Sequence, residues 1–520
     1  MLSKVDHVVV GSGFAGSLVA RILSKAGRSV LLLDRARHPR FALGESTTPL
    51  ANIALERLAR RYDLPELDRL AAHGRWMRSF PEVGRGLKRG FSFYLHEAGR
   101  EWRRDPDRRL LVGASPSDAV ADVHWLRSDV DRLLARFAVA DGTELWQETE
   151  VLGVEAVTGG LRLELRRDGG TRSVVAASVV DASGPAGAVA CRLGATRSRT
   201  GRTASHLVYG HFRDVALLGE VAGSSADDAP YPEDWAAVHH LLEEGWLYLL
   251  RFDDGLVSAG VLLDAGVAAE PALGDPTAVW RRLLGRYPTL TALFASARPE
   301  LPIAAQRHVQ HRLSRAVGPG WVATPHTFGF VDPLFSTGIA WGLRGVERLA
   351  EVLTTSPPDL ASGGAAELLA RYETLLAAEI EQLDRLVSAA YRARRDFDLF
   401  TAESMLYFAW VSHAESRERL REPPRVWWDG FLGAGDPAAE RLFAEACARV
   451  DEVAAGGATS GDFAAWVARR IEPFNVAGLM DPARRNLYPA DPGLLVREAH
   501  KLGLEPAAVE AALPSLLRED

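Results

Sequence analysis

Two short apolar runs open the chain. Val8-Val9-Val10 and Val30-Leu31-Leu32-Leu33 are continuous and brief, the pattern of strands buried on both faces. Between them Leu18 to Leu23 carries the spacing of an amphipathic helix, which Gly27-Arg28-Ser29 stops. The first strand turns into that helix through Gly11-Ser12-Gly13-Phe14-Ala15-Gly16, and the second strand ends in Asp34. In such a unit the first glycine allows a tight turn, the second lets backbone approach a pyrophosphate, and the third lets helix pack on strand. The helix N-terminus offers free N–H groups and the positive end of its dipole to phosphates. An acid closing the second strand accepts hydrogen bonds from a ribose. Glycine turns alone are common, but strand, glycines, helix, strand and acid in this order predict dinucleotide binding. Gly11, Gly13, Phe14, Ala15, Gly16, Asp34 and Arg35 are the residues expected around it.

Further along, Phe41-Ala42-Leu43-Gly44-Glu45-Ser46-Thr47-Thr48-Pro49 is a loop, and Pro49 suits the first turn of a helix from Leu50 to Arg61. Gly86 to His96 alternates as one strand, with Lys88, Gly90, Ser92 and Tyr94 on one face and Arg89, Phe91 and Phe93 on the other. Arg127 opens an amphipathic helix running to Leu134, and Ser173 to Asp181 is a strand ending in Asp181-Ala182-Ser183-Gly184. Gly320 to His326 reads as another strand, leading through Val331-Asp332-Pro333-Leu334-Phe335-Ser336-Thr337-Gly338 into a helix from Ile339 to Leu353. Segments 80–105 and 200–305 hold alternating strands, such as His206 to Phe212 and Leu247 to Leu263, and suggest a mostly antiparallel sheet. Pro357-Pro358 and Ser362-Gly363-Gly364 mark a boundary, beyond which 365–455 is strongly helical. Within it, Phe397, Phe400, Met405, Tyr407, Phe408 and Trp410 form an aromatic-rich stripe, read as helix packing. Gly456-Gly457 to Gly461 is a short linker, and 462–520 adds further helices ending in Leu516-Leu517.

Composition narrows the class. A chain of 520 residues with 47% apolar and 25% charged residues has material for two or three domains. A net charge of −7 gives no footprint for nucleic acid. Two cysteines, Cys191 and Cys447, do not make a disulfide framework. No run of about 18 apolar residues is present for a membrane span. Val5 to Val10 is too short for a signal sequence, so a cytoplasmic protein is expected. The pairs His239/His240 and His308/His311 lack acid or thiol partners at metal-ligand spacing, and no metal is expected.

Taken together, GSGFAGS at 11–17, GEST at 44–47, the Arg127–Asp131 helix, DASG at 181–184 and DPLFSTG at 332–338 resemble the flavin-dependent halogenases, a branch of the FAD monooxygenases. The resemblance implies FAD, used in its reduced form with dioxygen and a halide, chloride or bromide. It adds Glu45, Ser46, Thr47, Arg127, Asp181, His326, Asp332, Gly338 and Ile339 to the cofactor contacts, and places the halide at Ser336, Thr337 and Gly338. A helix N-terminus suits both roles, since it stabilises negative charge and donates N–H groups. Lys88 matches the family's K-x-G-x-x-F setting with Gly90 and Phe93. The resemblance makes it the catalytic lysine that meets hypohalous acid and directs the halogen to an electron-rich ring, a role that burial of an amine permits.

Three departures accompany it. The family's GWxWxIP segment is here Gly245-Trp246-Leu247-Tyr248-Leu249-Leu250. His326, after Pro325, stands where the family has the Asp of Gly-Asp-Ala. Phe335 replaces the Glu of the indole-acting branch. Phe335, with Trp246 and Tyr248 as further substrate contacts, aligns the chain with the branch acting on phenols or pyrroles, free or tethered to a carrier. The implied architecture is α/β (α+β overall). A Rossmann-type FAD-binding domain comprises 1–80, 106–200 and 306–358, an antiparallel substrate-side sheet 81–105 and 201–305, and a helical C-terminal domain 359–520. No second glycine-rich fingerprint is present for NAD(P)H, which implies a separate flavin reductase. A monooxygenase on the same fold without halide chemistry, and a non-catalytic flavoprotein binding an aromatic metabolite or carrier protein, are the alternative readings.

Overall fold

The computed structural model describes residues 3–199, 201–223, 229–267, 274–360, 363–421 and 424–517; Ser362, part of the expected boundary, lies outside them. An eight-stranded sheet carries the N-terminal unit. Strand β1 (Ser3–Val10) lies between β2 (Val30–Leu33) and β8 (Gly170–Asp181), parallel to both, with Val9 opposite Leu32 and Val180. The short strands β7 (Glu144–Trp146), beside β2, and β13 (Trp321–Ala323), beyond β8, continue the parallel set. Helix α1 (Phe14–Lys25) packs so closely on β1 that a Cβ on Gly16 would stand 1.9 Å from the Gly11 carbonyl oxygen. Only glycine allows that approach.

A nine-stranded, mostly antiparallel sheet forms the second layer, built on β9 (Ser205–Arg213), β10 (Ala237–Leu242), β11 (Gly245–Arg251) and β12 (Val257–Asp264). Here the expected single strand 86–96 is corrected. It breaks at Arg89 into β3 (Arg85–Lys88), paired with β6 (Asp122–Trp125) in a separate two-stranded ladder, and β4 (Gly90–Leu95), which joins the large sheet beside β10. The cause is long-range pairing: Arg89 N donates to Trp235 O at 2.7 Å, and Ala114 N donates to Arg89 O at 2.8 Å. The break rotates the chain, so Lys88 and Phe91, placed on opposite faces by simple alternation, meet. The Lys88 ammonium sits 4.0 Å from the Phe91 ring centre.

Two domain limits also shift. Strand β5 (Arg109–Gly113), assigned by sequence to the dinucleotide segment, pairs with β4 in the large sheet. The C-terminal helices are not a separate core. The helices α4 (Gly338–Thr355), α5 (Gly363–Ala393) and α6 (Phe397–Arg421) share one apolar cluster with β1 and α1, and strand β14 (Leu487–Tyr488) pairs with β5. The aromatic stripe on α6 is buried, as helix packing requires, except at half-buried Trp410, and its Tyr407 and Phe408 also face a cavity. Among the described residues no helix is long and apolar enough to cross a membrane.

Buried histidines give the fold an acid limit. His7 on β1 is fully buried; its Nδ1 pairs with Ser178 Oγ at 2.9 Å and its Nε2 has no partner. Burial lowers its pKa from 6.5 to about 4. Between those values the unfolded chain binds a proton that the folded chain refuses, so stability falls as pH drops, by about 1.4 kcal/mol per unit from this group. His7→Gln is expected to flatten the decline of melting temperature between pH 6.5 and 4. An unchanged slope would show that His7 is not its source.

Candidate functional site

The glycine turn and its surroundings form a dense polar cluster. Asp34 accepts from Ser12 N at 3.0 Å, Ser12 Oγ at 2.6 Å and Ala36 N at 2.9 Å, and from Arg40 Nε at 3.1 Å. Burial opposes its charge, but Arg40 and these hydrogen bonds outweigh it and hold the carboxyl below its usual range. Helix α3 (Arg127–Ala140) brings Arg127 across the turn. Its guanidinium pairs with Asp131 at 3.0 Å through both Nε and Nη2, and donates to Leu43 O at 2.7 Å and Gly44 O at 3.1 Å. Asp131 also accepts from Phe14 N at 3.1 Å, so one carboxylate ties α3 to the N-terminus of α1.

A Cβ placed on Gly13 would lie 3.6 Å from Arg127 Nη2 and 3.7 Å from Arg40 Nη2. Two guanidinium groups beside a helix N-terminus are the donor set an anionic pyrophosphate needs. Glu45 is buried and paired with His211 Nε2 at 3.0 Å, while Ser46 Oγ is buried without a partner. These residues fit FAD: a donor cradle, an oriented acid and an unsatisfied hydroxyl. Arg40 and Asp131 were missed from sequence, although the Arg35–Arg40 basic stretch was the available signal. Arg35 itself is exposed, whereas Arg40 reaches the acid.

Three expected cofactor contacts are spent inside the protein. Asp181 is fully buried and accepts from the amides of Ser183, Val189 and Ala190 and from Ser183 Oγ, bracing the turn after β8. Thr47 pairs with Val123 through both its amide and its hydroxyl. Asp332 accepts from Leu334 N at 3.1 Å, Ser205 Oγ at 3.0 Å and Tyr391 OH at 2.7 Å. These three bonds brace the turn, and burial pushes the Asp332 carboxyl up to about 7.

That turn aims the next helix. Ser336 has φ 53°, in the left-handed region, and Thr337 is the N-cap of α4. Ile339 is buried behind it, and a Cβ on Gly338 would be 3.3 Å from His326 Nε2. His326 sits between Phe14 and Trp341, edge-on at 5.8 and 5.9 Å, and burial lowers its pKa to about 4. The structure therefore gathers Gly13, Phe14, Arg127, His326 and the Ser336–Gly338 turn at one place. A neutral imidazole there accepts or donates a hydrogen bond without adding charge.

The lysine lies beyond the GEST segment. Lys88 is fully buried and donates to Thr47 O at 2.6 Å. Directly opposite in register stands Asp122, also buried, whose Oδ1 accepts from Asn52 Nδ2 at 2.8 Å on helix α2 (Pro49–Tyr62). Burial drives both groups toward neutrality, the ammonium down and the carboxyl up, each opposed by the other's charge. Beside them opens a cavity of about 620 Å³, lined by Ile53, Phe91, Asp122, Tyr407, Phe408 and Glu415 among others. Its size is that of a small-molecule site, and its wall mixes aromatic side chains, Phe91, Tyr407 and Phe408 among them, with charged ones such as Glu56, Arg75 and Arg419.

The three expected substrate contacts lie elsewhere in the fold. Phe335, Trp246 and Tyr248 do not line this cavity. Phe335 stacks on Tyr407 at 4.3 Å and so stands behind its wall. Trp246 donates to Tyr391 OH at 2.9 Å, joining the large sheet to the Asp332 turn. Tyr248 is buried against Gly260. Asp122 and Asn52 carried no sequence signal, because an acid at a strand start and an amide on an amphipathic helix are ordinary. Among the described residues no cluster of His, Cys, Asp and Glu suits a metal ion.

Comparison with known proteins places this geometry. Residues 9–66 match the model of the NAD(P)-binding Rossmann-like domain. Tetracycline 7-halogenase of Kitasatospora aureofaciens is 30% identical over 424 residues, covering 78% of this chain and 73% of the relative. Monodechloroaminopyrrolnitrin halogenase PrnC of Pseudomonas fluorescens is 26% identical over 491 residues, 90% of this chain and 84% of the relative. The crystal structure of halogenase PltM in complex with phloroglucinol and FAD shares the fold, with a TM-score of 0.82 at 24% identity over 93% of this chain and 99% of the other. The resemblance seen in the motifs holds along most of the chain, and this protein belongs to the FAD-dependent halogenases.

Proposed function

We propose that this halogenase acts on an electron-rich phenol-type ring seated in the 620 Å³ cavity, with Lys88 directing the halogen. The observation that carries the reading is the buried ammonium of Lys88, fixed by Thr47 O and by the ring of Phe91, which with Asp122 separates it from the cavity they both line. Reduced FAD with dioxygen supplies the oxidant that converts halide to hypohalous acid. The chain's own residues do the rest. Gly13, Arg40 and Arg127 would hold the cofactor's phosphates in the turn that Gly11 and Gly16 allow, Asp34 its ribose side, and the Thr337–Gly338 amides the halide. Lys88 hydrogen-bonds the hypohalous acid, keeps it from diffusing and presents the halogen to the ring. Phe91, Tyr407 and Phe408 exclude water and offer faces for an aromatic substrate. Phe335, behind Tyr407, brings no base for an indole nitrogen. The phenol class is supported by the tetracycline relative and by phloroglucinol in the PltM structure, both phenolic. Reduced FAD comes from a separate NAD(P)H-dependent flavin reductase.

Filling the cavity tests the reading. Ile53 lines it from α2, and Ile53→Trp is expected to lower bromination of small phenols by at least about tenfold, a loss of about 1.4 kcal/mol, chiefly through KM, with FAD affinity unchanged. Unaltered kinetics for every phenol tried would place the substrate elsewhere.

A further inference from the structure

We propose that Asp122 is the base of the halogenation step, taking the ring proton that leaves as the halogen is added. The inference rests on the reading of the cavity beside Lys88 as the halogenation site. Asp122 is 1% exposed and lines that cavity. Asn52 holds Oδ1 at 2.8 Å, which fixes the carboxylate, while Oδ2 is buried with no partner. Leaving a buried carboxylate oxygen unsatisfied is costly, and such groups persist where function uses them. The register of the β3–β6 ladder sets Asp122 directly across from Lys88. Arg419 and Glu415 of α6 face it from the far side, paired with each other at 3.3 Å, and Arg419 also pairs with Glu56 at 3.3 Å. The charged neighbours on that side are thus tied up in their own network.

The step balances on these two side chains. The bond between ring carbon and halogen forms as the halogen–oxygen bond of hypohalous acid breaks. The oxygen leaves as water, carrying a proton from the Lys88 ammonium. The halogen is reduced and the ring oxidised by two electrons. The cationic ring recovers its aromaticity when the C–H electron pair returns to it and the proton passes to Asp122 Oδ2. The proton gained by Asp122 equals the one lost by Lys88, so exchange between the cross-strand pair restores both. Hypohalous acid and arene give halogenated arene and water.

The test is bromination of resorcinol and ring-deuterated resorcinol by the full chain with FAD, a flavin reductase, dioxygen and bromide. Asp122→Asn is expected to brominate about 10²–10⁴-fold more slowly and to show a ring-deuterium isotope effect that the wild type lacks, with FAD titration unchanged. Asp122→Glu, which keeps the buried charge should the asparagine fail to fold, is expected to retain bromination with a smaller isotope effect. Wild-type rates in Asp122→Asn, or slow bromination without an isotope effect in both variants, would overturn the proposal. If Lys88→Ala is inactive while Asp122→Asn is not, only the base assignment falls. Wild-type protein that leaves resorcinol unbrominated, or Lys88→Ala that brominates normally, would overturn the reading of the site and the proposal with it.

Discussion

Lys88→Ala is expected to lower halogenation by about 10²–10⁴-fold while FAD still binds. Lys88 is one of the largest fully buried side chains, and its ammonium has two fixed partners, Thr47 O at 2.6 Å and the Phe91 ring at 4.0 Å. Burial lowers its pKa against the opposing charge of Asp122. A surface lysine on an edge strand would have none of these features. Alanine removes the one amine beside Phe91 without touching Gly13, Arg127 or the Ser336–Gly338 turn. Steady-state bromination with a parallel FAD titration checks this. Hypohalous acid released into solution, trapped by an added thioether, should rise as product falls. Normal bromination in the variant would make Lys88 a structural residue.

The largest expected loss of stability comes from Glu379→Ala. Arg348 and Glu379 are both 0% exposed and bonded at 2.6 and 3.1 Å. Glu379 also accepts from Trp341 Nε1 and Phe431 N, each at 2.8 Å. It thereby locks α5 to α4, the helix whose first turn carries Thr337 and Gly338. Removing one partner strands a buried guanidinium, at a cost of about 3–5 kcal/mol. A lowered melting temperature and weakened FAD affinity are expected together. The double change Arg348→Met with Glu379→Leu, which leaves no orphaned charge, should recover most of the stability. If Glu379→Ala melts with the wild type, the pair contributes little to holding α4.

The N-terminal β–α–β unit was readable because its signals are local: two buried strands, three glycines and an acid within a short stretch. Phe14, Gly338 and His326 were likewise found by motif, and the fold brings them to one place. What escaped depends on pairing between distant segments. The alternation from Gly86 to His96 runs unbroken through Arg89, and only Trp235 and Ala114 reveal the break. Asp181, Thr47 and Asp332 sit inside flavin motifs, yet their polar atoms brace turns, a distinction that spacing alone does not carry. The cavity needs α2, α6 and the C-terminal segment at once, so Asp122 and Asn52 had no signal. Phe335 stands one layer behind the cavity wall, because Tyr407 from α6 covers it.

Mass spectrometry of a phenol incubated with the purified protein, FAD, a flavin reductase, dioxygen and bromide tests the halogenase assignment most directly. One bromine in place of a ring hydrogen, lost in Lys88→Ala, is the expected product. Oxygen added without bromine, or recovery of the phenol unchanged from FAD-loaded protein, would contradict it.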